Sequence, residues 1–302
     1  LPTTAACPTR QSPASSDAHV VQKLKALGAV VIGKTNLDQF ATGLVGTRSP
    51  YGIVPNPFHP AYISGGSSSG SASVVSRGIV PFALGTDTAG SGRVPAALQN
   101  LVGLKPTRGW FSNTGLLPAC KTLDCISVFA LTVADAWLIA ELMGGSDPLD
   151  PYSRVHPRTT PAAFSATPKI GVPNRLFFAD DPIQAAAFAV AQQQWAELGA
   201  TIIPIDFEPF ERLAKQLYQG AWVAERTAAV GDLLNDPATA HPVVKSIIEK
   251  GRSFSAVDAY NAEYQRAELS QLIAQTFAAV DCILVPTTPT IYTIQALLEQ
   301  PI

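Results

Sequence analysis

Cysteine is scarce in this chain: four in 302 residues, at Cys7, Cys120, Cys125 and Cys282. They show neither the Cys-x-x-Cys spacing of a zinc site nor the density of a disulfide-stapled secreted domain, which predicts reduced thiols in a cytoplasmic protein. Histidine is equally thin. His19, His59, His156 and His241 stand apart with no ligand set around them, so no metal is expected. Charged residues amount to 15% and the net charge is −2. The scattered Lys and Arg form no stripe able to neutralise a phosphate backbone, which argues against a nucleic-acid partner. No apolar run reaches the roughly 18 residues of a membrane span, and Leu1 to Pro8 lacks the basic and apolar regions of a signal peptide. What the chain has is apolar content, 47%, together with 22 glycines and 25 prolines. That is enough to bury a large core as one big domain or two closely joined lobes. Both ends read as cuts within a longer protein.

Hydrophobic periodicity places a helix over 17–26 capped by Asp17, and Gly28 ends it. Ala29-Val30-Val31-Ile32 reads as a buried strand, and Asn36 as the opening of a short helix to Ala41. Prolines and glycines exclude regular structure from Gly43 to Ser71, giving a long ordered loop. A small-residue helix follows over 73–77, then a strand over 79–85 and a helix from Thr132 or Asp135 to Met143. The Pro- and Ser-rich stretch 144–167 reads as a linker between a serine-rich core (1–145) and a second lobe (165–302). In that lobe, Lys169–Val172, Ile183–Leu198 and Thr201–Ile205 predict a βαβ unit. Helices over 209–230, 242–250 and 256–279 lead to a last strand at 282–285. The fold class is α/β, a sheet covered by helices on both faces.

Two glycine- and serine-rich turns stand out: Gly65-Gly66-Ser67-Ser68-Ser69-Gly70-Ser71-Ala72 and Gly85-Thr86-Asp87-Thr88-Ala89-Gly90-Ser91-Gly92-Arg93. Glycines let the backbone bend sharply, so that amides near Ser91 converge on an oxyanion while its hydroxyl attacks an acyl carbon. A serine hydroxyl needs a proton acceptor within hydrogen-bond reach, and Ser67 is the candidate relay. Two other motifs fail on context. Gly28-Ala29-Val30-Val31-Ile32-Gly33-Lys34-Thr35 fits the P-loop pattern, but its variable positions are the apolar strand itself and not a phosphate-cradling loop. Gly66-Ser67-Ser68-Ser69-Gly70 fits a hydrolase nucleophile elbow at Ser68, but Asn56-Pro57-Phe58-His59-Pro60 precludes the strand that must precede it. His156 and His241 have no evident reason to converge on it.

The two turns, in this order and spacing, resemble those of the amidase signature family, serine hydrolases with a Ser–cis-Ser–Lys triad. Longer stretches are similar to the allophanate hydrolases of that family: Ala41-Thr42-Gly43-Leu44-Val45-Gly46-Thr47-Arg48-Ser49-Pro50-Tyr51-Gly52, Gly103-Leu104-Lys105-Pro106-Thr107-Arg108-Gly109 and Pro118-Ala119-Cys120-Lys121-Thr122-Leu123-Asp124-Cys125. Weaker likeness continues through Trp222–Arg226 and Val285–Thr290. The resemblance implies an amidase-type mixed sheet, Ser91 as nucleophile, Ser67 as bridging serine after a cis bond, and Thr88, Ala89 and Gly90 as oxyanion-hole amides. It further implies hydrolysis of allophanate, a small planar anion, as substrate, with no organic cofactor and with a homodimeric assembly. Gly43 is similar to a position whose backbone contacts substrate. Arg226 offers a planar fork for the carboxylate, and Tyr218, about two helical turns upstream, a hydroxyl. Asp87, Arg93 and Ser68 are read as supports of the nucleophile turn, and Asp124 as structural. The family lysine precedes a segment like Leu1–Pro8, and Lys34, Lys105 and Lys121 occupy no matching motif, so the base is expected upstream of Leu1. The competing readings are a general amidase, a non-catalytic fragment and an amidotransferase subunit. Urea breakdown and triazine-ring breakdown stand as equal sources of substrate.

Overall fold

The computed structural model describes residues 4–155, 165–235 and 239–301. The chain divides into two compact units, one of Leu1–Pro157, Val223–Ser253 and Tyr292–Ile302, the other of Arg158–Trp222 and Phe254–Ile291.

In the first unit, α1 (His19–Ala26) buries Val20 and Leu24. Asp17 does not cap it. The capping position is Ala18, which makes no side-chain bond, and the Asp17 carboxylate instead takes Lys25 Nζ at 2.6 Å. The expected strand at 29–32 is absent, and Val30, Val31 and Ile32 are 78%, 50% and 71% exposed. No strand among the described residues lies beside them to complete a ladder. The expected helix after Asn36 is one 3-10 turn, Gln39–Ala41.

Next come α2 (Ser69–Ser76), β1 (Phe82–Asp87), α3 (Val94–Leu98), β2 (Val102–Leu104), β3 (Cys125–Ala130) and α4 (Val133–Met143). β3 lies in the middle of an antiparallel sheet in the order β1-β3-β2, with Asp87 opposite Cys125 and Val102 opposite Ala130. Buried along its whole length, β3 is apolar but for Ser127, a composition of the kind found where both faces are covered. Phe129 packs with Ala72, Val75 and Ala96, while Val128 and Ala130 join Ala136, Ile139, Ala140 and Met143. Thr132 caps α4 by accepting the Asp135 amide, as its sequence predicts.

The stretch 144–155 is not a free linker. Ser112 Oγ and Thr114 Oγ1 donate to Asp147 at 2.6 and 2.7 Å, and the Asn113 amide donates to Asp150 at 2.8 Å. These bonds, the Ser112 one foremost, hold the Asp147 carboxyl down at about 2. Residues 156–164 of the expected linker lie outside the described residues, as does His156.

β4 (Lys169–Pro173), α5 (Pro182–Glu197) and β5 (Thr201–Ile205) form the expected parallel βαβ unit, with Ile170 opposite Ile202. Asp181 caps α5 through the amides of Ile183 and Gln184. The predicted helix over 209–230 is broken into α6 (Glu208–Gln219) and α7 (Val223–Val230) at Gly220. The break also falls between the units. α7 and α8 (Pro242–Glu249) belong to the first, where Val230, Val244 and Ile248 form a cluster with Cys7 and Phe40. That cluster is why a single cut between lobes does not describe the chain. α9 (Ala256–Ala279) opens with a capping box at Ser255 and Asp258. It leads to β6 (Cys282–Ile283), which pairs in parallel with β4, and α10 (Ile294–Glu299) ends the series. Among the described residues no helix is long and apolar enough to cross a membrane.

Candidate active site

The first serine turn is held against β1 by its own hydroxyls. β1 is an edge strand, so one row of its backbone groups needs partners from outside the sheet. Ser68 Oγ donates to the Thr86 carbonyl at 3.2 Å and accepts the Thr86 amide at 3.1 Å, and Ser71 Oγ donates to the Leu84 carbonyl at 2.8 Å. The serines thus stand in for a neighbouring strand. Gly85 makes the approach possible: a Cβ there would lie 2.5 Å from Ser68 Oγ and 2.7 Å from the Phe129 ring. Within this turn the Gly66–Ser67 peptide is cis, matching the geometry that the family resemblance implies.

β1 runs directly into the second turn. Asp87, at its end, is fully buried. Its carboxylate accepts the amides of Gly90 and Gly92 at 2.7 and 3.1 Å and both prongs of the Arg93 fork at 2.8 and 2.9 Å. Such a bidentate pair fixes orientation as well as charge, and it raises the Arg93 pKa. Ser91, 3% exposed, follows Gly90, whose φ of +129° is open to glycine. The Ser91 hydroxyl donates to the Gly43 carbonyl at 3.4 Å.

Three predicted site residues, Gly43, Ser91 and Arg226, therefore meet on the short segment 41–43. Gly43 touches Ser91, and Arg226 Nη1 donates to Thr42 Oγ1 at 3.0 Å and to the Ala41 carbonyl at 3.2 Å. Thr88 Oγ1 donates to Asp124 at 2.5 Å. Asp124 in turn accepts the amides of Ala119 and Cys120 at 2.9 and 3.1 Å. Glu225, next to Arg226, holds Thr122 through its amide and hydroxyl at 3.0 and 2.5 Å. Burial raises the Asp124 carboxyl against these hydrogen bonds and pushes the Cys120 thiol up to about 12. A thiol that stays protonated is no nucleophile at neutral pH.

Three details differ from the sequence-based picture. The Gly90 amide is committed to Asp87, which leaves Thr88 and Ala89 as the predicted oxyanion donors without that commitment. Tyr218 lies on α6 in the second unit and Arg226 on α7 in the first, so the two do not share a helix face. Ser67 Oγ is buried with no hydrogen-bond partner among the described residues, so the Ser67–Ser91 bond is not made in this arrangement. Catalytic hydrogen bonds are commonly long before substrate binds and tighten afterwards.

Sequence reasoning missed Asp38. It is fully buried, its amide donates to the Ser67 carbonyl at 2.9 Å, and its carboxylate accepts the amides of Val45, Gly46 and Arg48 at 3.0, 3.0 and 2.9 Å. The only trace in the sequence is an acidic residue just ahead of a glycine-rich loop, a pattern with no periodicity to mark it. No group of three or more His, Cys, Asp or Glu among the described residues is placed to hold a metal.

The structure thus holds a buried serine on a glycine turn and, in a second serine turn, a cis Gly66–Ser67 peptide. The chain belongs to the Amidase family, whose model matches residues 1–296, well beyond the serine turns. Urea amidolyase of Saccharomyces cerevisiae is 49% identical over 306 residues, covering 100% of this chain and 17% of that protein. Allophanate hydrolase of Kluyveromyces lactis superposes with a TM-score of 0.98 at 47% identity, covering 100% of this chain and 50% of that one. A glutamyl-tRNA(Gln) amidotransferase subunit from Koribacter versatilis is 36% identical over 91% of this chain and 63% of its own length. The chain thus spans about a sixth of the urea amidolyase it matches.

Proposed function

We propose that this chain carries the amide-cleaving centre of an allophanate hydrolase. A neutral lysine accepts a proton from Ser67, Ser67 accepts one from Ser91, and Ser91 attacks the terminal amide carbonyl of allophanate. The amides of Thr88 and Ala89 face the developing oxyanion. Ammonia leaves with the relayed proton. Water returning along the same relay frees Ser91 and releases the dicarboxylate product, which then loses carbon dioxide. The Ser67 hydroxyl is buried with no partner among the described residues, which leaves it open to a proton acceptor.

Arg226 carries the choice of substrate. It is 1% exposed and bonds to the two residues immediately before Gly43, whose carbonyl holds Ser91. A planar cation so close to the nucleophile suits a small amide with a carboxylate at its other end. Arg226→Lys keeps the charge and loses the fork. It is expected to lower kcat/KM for allophanate at least about 10-fold more than for an uncharged amide of similar size. Equal losses on both would overturn the carboxylate clamp and favour a general amidase or a glutamyl-tRNA(Gln) amidotransferase component, the reading supported by the 36% identity to the Koribacter versatilis protein. The proposal extends to a cytosolic homodimer. Free cysteines at 7, 120, 125 and 282 suit a reducing compartment, and light scattering of the purified protein tests the dimer.

A further inference from the structure

We infer that Asp38 is a positioning residue, which holds the bridging serine and the nucleophile in mutual register. The inference rests on the hydrolytic reading above. Asp38 bonds directly to the Ser67 residue and, through the turn that begins at Gly43, indirectly to Ser91. Through its backbone amide it grips the Ser67 carbonyl at 2.9 Å. Through its carboxylate it gathers the amides of Val45, Gly46 and Arg48, which shapes the turn whose first carbonyl, Gly43, receives the Ser91 hydroxyl. The turn is clamped from both sides. A Cβ on Gly66 would lie 2.8 Å from the amide nitrogens of Val45 and Gly46 and closer still to Asp38 Oδ2. The cis turn, Asp38 and the 43–46 turn therefore interlock with no slack at the backbone.

The chemistry of the contact calls for a carboxylate. Oδ2 accepts two amides, Val45 and Gly46, and Oδ1 accepts a third, Arg48. An asparagine of the same shape has a single acceptor oxygen, so its NH2 must face either the Arg48 amide or the Val45–Gly46 pair. Donor meets donor in a dry site, and the turn must shift to relieve it. The charged groups facing Asp38 are Arg48, whose guanidinium favours the ionised carboxylate, and His241, whose own ring is influenced by both. Burial is the larger influence and raises the Asp38 pKa, with the three amides opposing it. A displacement of the Gly43 carbonyl moves the Ser91 hydroxyl with it, and misplacement of a reacting group by about 1 Å costs roughly 100-fold in rate.

The test compares wild type, Asp38→Asn and Gly46→Ala in the full-length protein. A fluorophosphonate reads the rate of Ser91 labelling, and malonate serves as a non-covalent competitor reading the binding site. The expected result is labelling slowed about 100-fold in Asp38→Asn, with the malonate inhibition constant within about 2-fold of wild type. Unchanged labelling in a folded Asp38→Asn variant overturns the inference. So does a proportional weakening of malonate, which marks a general loosening of the site. Should Asp38→Asn fail to fold, Gly46→Ala decides. Gly46 has φ +80° and a carbonyl oxygen of Gly65 at 2.8 Å from a built Cβ, so alanine shifts the same turn while leaving the carboxylate intact. It must slow labelling at least 10-fold, and wild-type labelling there also overturns the inference. Failure of wild-type protein to label at all sinks the hydrolytic reading itself, an outcome distinct from these.

Discussion

The two units are built from different materials. In the first, buried polar side chains crowd the interior: Asp38, Gln39, Ser67, Asp87, Gln99, Asp124, Asp147 and Arg226 are all withdrawn from solvent. In the second, Gln216 alone among the described residues is a buried polar side chain, and the core is Ile170, Val172 and Phe188 with their apolar neighbours. Polar groups are costly to bury and must be satisfied by geometry. A unit that buries this many is specified by hydrogen bonds at fixed distances, which a reaction centre requires. A unit that buries apolar side chains is specified by volume, which a scaffold requires and which tolerates exchange.

Removing the nucleophile should give the largest effect. Ser91→Ala is expected to lower turnover by at least about 10⁴-fold with an unchanged melting temperature, read by ammonia release and thermal denaturation side by side. A melting temperature that falls with activity would place Ser91 among the structural serines. Next comes the apolar unit. Phe188→Ala is expected to cost about 3 kcal/mol of stability, measured by denaturant titration, with the Ser91 labelling rate of the folded fraction unaltered. A loss of labelling would erase the contrast between the units. Asp87→Asn, in the polar unit, should both destabilise by about 2 kcal/mol and slow labelling. It removes a buried charge that Arg93 and two amides share. The smallest effect concerns pH. The Asp147 carboxyl is held at about 2, below its ordinary value of 3.8. Its contribution to stability is therefore present above about pH 4 and lost as pH falls toward 2. Asp147→Asn is expected to flatten the dependence of stability on pH across that window. An identical acid dependence would contradict the assignment.

The same contrast explains what could be read in the sequence. The βαβ unit was legible because its strands and helix follow apolar periodicity and Asp181 caps α5 where a helix must start. The two serine turns were legible for a different reason: glycine at 85 and 90 answers to close approach and to positive φ, and such demands leave marks in the letters. Asp38 left only its place ahead of a glycine-rich loop, since three amides converge on it from a loop whose path only the fold decides. Asp17 misled in the opposite sense. A good capping residue sat one position too early, and its carboxylate found Lys25 instead. The apolar run 29–32 has strand composition and no strand, because pairing needs a neighbour that composition cannot supply. The break at Gly220 separated Tyr218 from Arg226, which helical spacing alone had joined.

The central claim, that Ser91 is the acylated residue, is tested most directly by peptide mapping after fluorophosphonate treatment of the full-length protein. The adduct is predicted on the peptide containing Ser91, absent in Ser91→Ala and slowed in Ser67→Ala. An adduct on Ser68, or none on either serine turn, would contradict it.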